Sequence, residues 1–385
     1  MRRSSAPSRS TGSSARGVAS PSRERLGDRL EGALENRADV EGEITRGEAA
    51  QPVRRRIVRT AVWLCVTAVS LYLVAPALLD TLSSWRSLTE LAPGWVPVMV
   101  VLQAAAVVSL WWLQRIALHR AGWYAVATSQ LAGNAMAKIA PGGGAVGAAV
   151  QYRMLAEAGL PRARAIAGLT AANLLTLAVV LALPVFAIPA FIRGAVDRSL
   201  AEVALGGFGL FALLFAAGAL MFAYDRPLLW VGRTAQRVRN RLRPKATPVR
   251  ELPGRLLCER ERILAAVAPR WKAALAASVG RWAFDYASLL AALAAVGSTP
   301  RPGVVLLAFC AAQLLAQLPI TPGGVGFVEV GLTATLALAG VDASDAIVAT
   351  LAYRLLTYWL PLPLGAVAAI LHRRRFHTTA LGASL

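Results

Sequence analysis

Apolar and polar positions divide the chain into long hydrophobic stretches bounded by basic residues. Residues 57–79, 95–118, 163–192, 203–224, 273–296 and 347–371 form such stretches. Each can cross a hydrocarbon core of about 30 Å as a helix rising about 1.5 Å per residue. Pro184 and Pro189 are expected to kink the far end of the third. Two further apolar regions do not fit a single crossing. Residues 121–158 are broken by Pro141-Gly142-Gly143-Gly144, and residues 304–339 by Pro322-Gly323-Gly324. The flanks of each break are roughly 15–18 residues, short of a full span. The pattern predicts re-entrant hairpins: a half-helix in, a glycine turn, a half-helix out. Two short tilted helices joined by a turn are the alternative. Lipid cannot hydrogen-bond a broken backbone, so either kind of turn must be buried in protein or line a watery cavity.

The two broken regions are copies. Ile139-Ala140-Pro141-Gly142-Gly143-Gly144 recurs as Ile320-Thr321-Pro322-Gly323-Gly324-Val325, 181 positions later. The offset then holds without a gap: Gly159 falls on Gly340, Ala165-Ile166 on Ala346-Ile347, and Leu174-Leu175-Thr176 on Leu355-Leu356-Thr357. Duplicated membrane units interrupted by glycine and proline are how many transporters build a central site.

Composition agrees with a membrane protein. Of 385 residues, 56% are hydrophobic, more than a soluble domain of this size can hide. The net charge of +20 does not indicate nucleic acid, because Lys and Arg cluster just outside apolar stretches. Residues 1–53 read as a disordered cytoplasmic tail, with a short helix around 25–37 as an alternative within it, and not as a signal peptide. Residues 54–375 form the membrane domain, with repeats at about 95–192 and 273–371, a basic loop at 225–270, and a tail at 376–385. Within that loop Leu228, Val231, Ala235, Val238 and Leu242 share one helical face, consistent with an interfacial helix or a solvated connector. The three cysteines and three histidines are scattered, so no metal, disulfide or cofactor is expected.

The basic flanks orient the chain. Arg54-Arg55-Arg56, Arg120, the basic loop and Arg373-Arg374-Arg375 all fall inside if the six stretches cross. The first broken region carries Lys138, Arg153, Arg162 and Arg164 and should open to the cytoplasm. The second is flanked by Asp342 and Asp345 and should open outside. The expected fold is therefore an all-α polytopic inverted repeat, with about six crossings, two opposed hairpins and both termini cytoplasmic.

Charges inside apolar stretches cost about 2.5–3.5 kcal/mol each on insertion scales and call for a reason. Lys138 precedes the first turn, Arg153 follows it beside Tyr152, Glu329 follows the second turn, and Arg354 sits beside Tyr353 in the last stretch. Arg281 and Asp285, one turn apart, read as a structural ion pair. The repeat maps Arg354 onto Asn173, but Arg153 and Glu329 onto alanines. An asymmetric charge set on a duplicated frame suits one anionic ligand held by Arg153, Arg354 and Lys138, with Glu329 balancing an arginine or carrying a proton and Tyr152, Tyr353 and Asn173 beside them. The alternatives are Lys138 snorkelling to the inner interface and Arg153 as a positive-inside anchor. The turns Pro141, Gly142, Gly143, Gly144 and Pro322, Gly323, Gly324 would add backbone N–H groups.

Residues 141–153 and 318–329, followed by Tyr353-Arg354, resemble the two signatures of the lysylphosphatidylglycerol synthase transmembrane, or flippase-like, family. The resemblance extends over roughly 57–375 and implies functional weight on Arg153, Glu329 and Arg354. In bifunctional members this region precedes a cytosolic aminoacyl transferase domain, for which little chain follows residue 371 here. A non-enzymatic flippase of the cell membrane is therefore expected, moving an anionic phospholipid, an aminoacyl-phospholipid or a polyprenyl-phosphate-linked glycan. A membrane partner of an envelope-synthesis enzyme is the second reading, and a lipid-phosphate enzyme the third.

Overall fold

The computed structural model describes residues 92–119, 121–140, 143–187, 198–242, 251–316, 324 and 326–382. The expected tail 1–53 and stretch 57–79 lie outside them, as do Pro141, Gly142, Pro189, Pro322 and Gly323. Among the described residues all regular structure is helical. Helix α1 (Trp95–Ala117) is followed by the short pair α2 (Trp123–Ile139) and α3 (Gly143–Glu157), then by α4 (Arg162–Ala182). Next come α5 (Arg198–Ala223), α6 (Asp225–Leu242), α7 (Leu252–Val267) and α8 (Trp271–Ala295). A second short pair, α9 (Pro302–Leu315) and α10 (Phe327–Leu338), leads into α11 (Ala343–Arg354) and α12 (Pro361–Gly382), joined by a π-helical turn at Leu355–Trp359.

The 181-residue offset survives in the backbone. Gly143 and Gly324, which it superposes, have φ of +48° and +72°; Gly159 and Gly340 have φ of +85° and +87°. Only glycine adopts this left-handed region without strain, so the same turns recur at the same places. The short pairs pack α2 on α3 and α9 on α10, and the offset lays α1 over α8, which run against each other.

Among the described residues three helical stretches are long and apolar enough to cross a membrane: Trp95–Ala117, Arg162–Phe186 and Ala343–Phe376. The bent pair Phe208–Ala223 and Asp225–Arg241 makes up to four if counted as one span. The remaining expected crossings have visible reasons. Stretch 57–79 is outside the described residues, and α8 has the length, 25 residues, but carries Lys272, Arg281 and Asp285. Helices α2, α3, α9 and α10 have 17, 15, 14 and 12 residues, too short to count as full crossings. Pro184 falls where α4 tightens into a 3-10 turn, Leu183–Ala187.

Small residues allow the close crossings. A Cβ on Gly147 would stand 2.4 Å from the Gly133 carbonyl oxygen, where α3 crosses α2. One on Gly365 would stand 2.5 Å from the Leu131 oxygen, where α12 crosses α2. The largest core joins Trp282 and Leu289 of α8 to Phe309, Leu332 and Leu336 of the second short pair. His372, at a segment end by sequence, is fully buried on α12, with Nδ1 2.7 Å from Thr128 Oγ1 and Nε2 2.9 Å from the Met154 oxygen.

Candidate functional site: a charged cavity between the two glycine turns

The loop after each short pair's first helix brings a glycine to one polar cavity of about 330 Å³. Gly143 and Gly144 line it from the first copy and Gly324 from the second. The first turn of α3 opens there, with the Gly143 N–H donating to the Ala140 oxygen at 3.0 Å. Three cations line the same space: Lys138, Arg281 and Arg354.

The cations are held by a hydrogen-bonded frame built across elements. Asp285, 1% exposed, accepts from Gln103 Nε2 of α1 at 2.7 Å and from the Tyr353 hydroxyl of α11 at 3.1 Å. Its second oxygen lies 2.8 Å from Arg281 Nη1. Gln313 Nε2 donates to the Tyr353 hydroxyl at 3.1 Å, so the tyrosine accepts from α9 and donates to α8. Glu329 accepts from Arg354 Nε at 2.7 Å and, through its other oxygen, from the Gly326 N–H at 2.8 Å. The second glycine turn is thereby tied to the arginine. Arg354 Nη2 is buried without a hydrogen-bond partner among the described residues. A buried guanidinium N–H without a partner favours donation to an oxyanion that reaches it.

Lys138 occupies a position that local sequence creates. Pro361 has no N–H, so the Thr357 carbonyl loses its helical donor, and the chain widens to a π turn in which Leu360 N–H reaches the Leu355 oxygen at 2.9 Å. The Lys138 ammonium donates to the freed Thr357 carbonyl and, at 3.4 Å, to that of Tyr358. The Tyr358 hydroxyl donates back to the Lys138 carbonyl at 3.1 Å. Arg354 lies 4.7 Å and Lys138 5.3 Å from the centre of the Tyr358 ring, whose π face favours both.

Of the residues singled out by sequence, Lys138, Gly143, Gly144, Gly324, Tyr353 and Arg354 line the cavity, and Glu329 bonds Arg354. Three others lie apart from it. Arg153 points outward with its side chain 80% exposed and pairs with Glu157 at 2.9 Å. Asn173 is exposed, and Tyr152 packs in a separate cluster with Leu118 and Leu155. Conversely, Arg281 and Asp285 are cavity walls as well as an ion pair, and Tyr358, Gln313 and Asn134 join them. Among the described residues no three His, Cys, Asp or Glu side chains gather as a metal site would require.

Comparison with known proteins gives the chain its context. Residues 60–365 match the family described as the lysylphosphatidylglycerol synthase TM region. A UPF0104 membrane protein of Methanothermobacter thermautotrophicus is 32% identical over 98 residues, 26% of this chain and 28% of that protein. A UPF0104 membrane protein of Pyrococcus horikoshii is 33% identical over 70 residues, 18% of this chain and 21% of that protein. The match thus spans about a quarter of the length of these curated relatives. No solved structure is significantly similar.

Proposed function

The chain belongs to the lysylphosphatidylglycerol synthase TM-region family, and from that premise we propose that this membrane protein carries a lipid with an anionic head group between leaflets. One observation carries the reading: glycine turns from both copies of the repeat meet at a single cavity lined by Lys138, Arg281 and Arg354. Asp285 and Glu329 leave that set one positive charge in excess, which suits a phosphate or another singly charged oxyanion. The two turns belong to hairpins entering from opposite faces, cytoplasmic for Pro141–Gly144 and external for Pro322–Gly324. The two hairpins then gate the cavity in alternation. Both termini lie in the cytoplasm of a cell whose plasma membrane holds the protein.

Purified protein in vesicles, with a head-group-labelled anionic phospholipid placed in one leaflet, tests this. Redistribution should be clearly faster than in empty vesicles. The Arg354→Gln variant should lose most of that gain. Unchanged lipid distribution with phosphatidylglycerol, aminoacyl-phosphatidylglycerol and polyprenyl-phosphate sugars alike would overturn it, and would favour a non-transporting partner of an envelope-synthesis enzyme.

A further inference from the structure

Helix α6 has three unlike sides, and only one is covered by protein. Toward α7, Gly232 is so close that a Cβ would meet the Pro253 Cα at 2.9 Å, and Gln236 Oε1 accepts the Leu252 N–H at 3.2 Å. A second side carries Arg226, Arg233, Arg237 and Arg241 together with Trp230, all exposed. The third is apolar and becomes free along the helix: Leu228 is buried, Val231 half-buried, Ala235 exposed and Val238 50% exposed, with the exposed Arg239 at its edge. Over its length α6 has five arginines and one carboxylate, Asp225. Where it leaves the apolar helix α5, the axis turns by 99°. Along α5, Leu210, Leu213 and Leu220 are exposed, an apolar surface that suits lipid.

We propose that α6 lies in the head-group plane of an anionic leaflet, its valine side toward the acyl chains and its arginines among phosphates. A helix set at a right angle to a lipid-facing one runs along the membrane surface. Its exposed apolar side then has acyl chains as its nearest apolar neighbour. The opposite side, basic and bearing a tryptophan, matches the charge and polarity of that interface. The α6–α7 contact fixes the roll of the helix, so the two free sides cannot exchange places. Because α7 in turn packs Ile263, Ala266 and Val267 against α1, α4 and α8, the contact reaches the helix bundle. This inference does not depend on the translocation reading.

The test uses the full chain with its natural cysteines replaced, reconstituted in vesicles of phosphatidylcholine alone or with phosphatidylglycerol. An environment-sensitive fluorophore is attached at Val238→Cys or at Arg237→Cys. In phosphatidylglycerol vesicles the label at 238 should shift to the blue. It should also be quenched by a shallow lipid-borne quencher at least about twofold more than the label at 237, as burial of about 5–10 Å requires. Adding Arg233→Gln and Arg241→Gln, or omitting phosphatidylglycerol, should weaken that quenching. Equal access of aqueous iodide to 238 and 237 in both vesicles would overturn the proposal and leave the face for a protein or nucleic acid. Equal quenching with and without phosphatidylglycerol would overturn its anionic half. Both labelled positions are exposed, and an unchanged elution volume in detergent shows that each variant is folded. The lipid-redistribution assay fails or succeeds separately.

Discussion

Arg354 and Glu329 are each the other's justification. Their side chains are 10% and 17% exposed, so removing one strands a charge in a poorly solvated place. Glu329→Gln is expected to lower stability in detergent by about 3–5 kcal/mol, and Arg354→Gln by a similar amount. The double variant should recover much of that loss, and a thermal-unfolding cycle over the four proteins checks it. Additive losses would mean the pair does not interact. The sequence exposed these two residues, and Lys138, because charge inside an apolar stretch stands out at any position. It exposed Arg281 and Asp285 only halfway. Their i, i+4 spacing showed a pair, but their role as cavity wall depends on Gln103 and Tyr353, which come from helices far along the chain. Tyr358 and Gln313 carry no such signal, since an aromatic or amide side chain on a membrane helix is ordinary. Arg153 stood out by the same rule as Lys138, yet its helix turns it outward to Glu157. Two charged neighbours of one turn can face opposite ways, and one-dimensional spacing across a Pro-Gly break does not fix the roll of the second half-helix.

Elements were more legible than contacts. The short flanks appear as short helices, and the constant offset as matched positive-φ glycines at Gly143 and Gly324 and at Gly159 and Gly340. What the pattern could not reveal is how closely the halves pack, which rests on Gly133, Gly147 and Gly365. Gly147→Leu places carbon where the Gly133 carbonyl sits and should sharply reduce folded yield. Gly144→Ala, with no atom within 4 Å of its added carbon, should leave it near normal; equal yields would mean the crossing is loose. The π turn is a second element-scale feature written locally: Pro361 removes a donor, and Lys138 replaces it from the other copy. Lys138→Met keeps the apolar stem but leaves the Thr357 carbonyl unpartnered, a cost of about 1–3 kcal/mol. Amide exchange should rise at 355–360 while remaining unchanged in α8. Protection equal to that of the parent protein would show that the lysine does not hold the turn.

At the scale of the molecule, orientation is the quantity on which the rest depends. On the proposed topology an odd number of crossings separates equivalent loops, which would then lie on opposite sides of the membrane. The loops closing the two short pairs allow a matched comparison. Ala158 and Ala339 are superposed by the 181-residue offset, each immediately precedes a positive-φ glycine, and both are partly exposed. Cysteine introduced at either site, in a chain freed of its natural cysteines, meets the same local geometry, so a difference in labelling reports sidedness and little else. Ala158→Cys should react with an impermeant maleimide only after the cytoplasmic face is opened. Ala339→Cys should react in intact cells. The two sites differ in charge: Arg153, Arg162 and Arg164 flank the first, while Asp342 and Asp345 follow the second. Labelling of both from the cytoplasm alone would make the repeat parallel. Both glycine turns would then enter the cavity from one side, and a gate that opens to each leaflet in turn would have no structural basis.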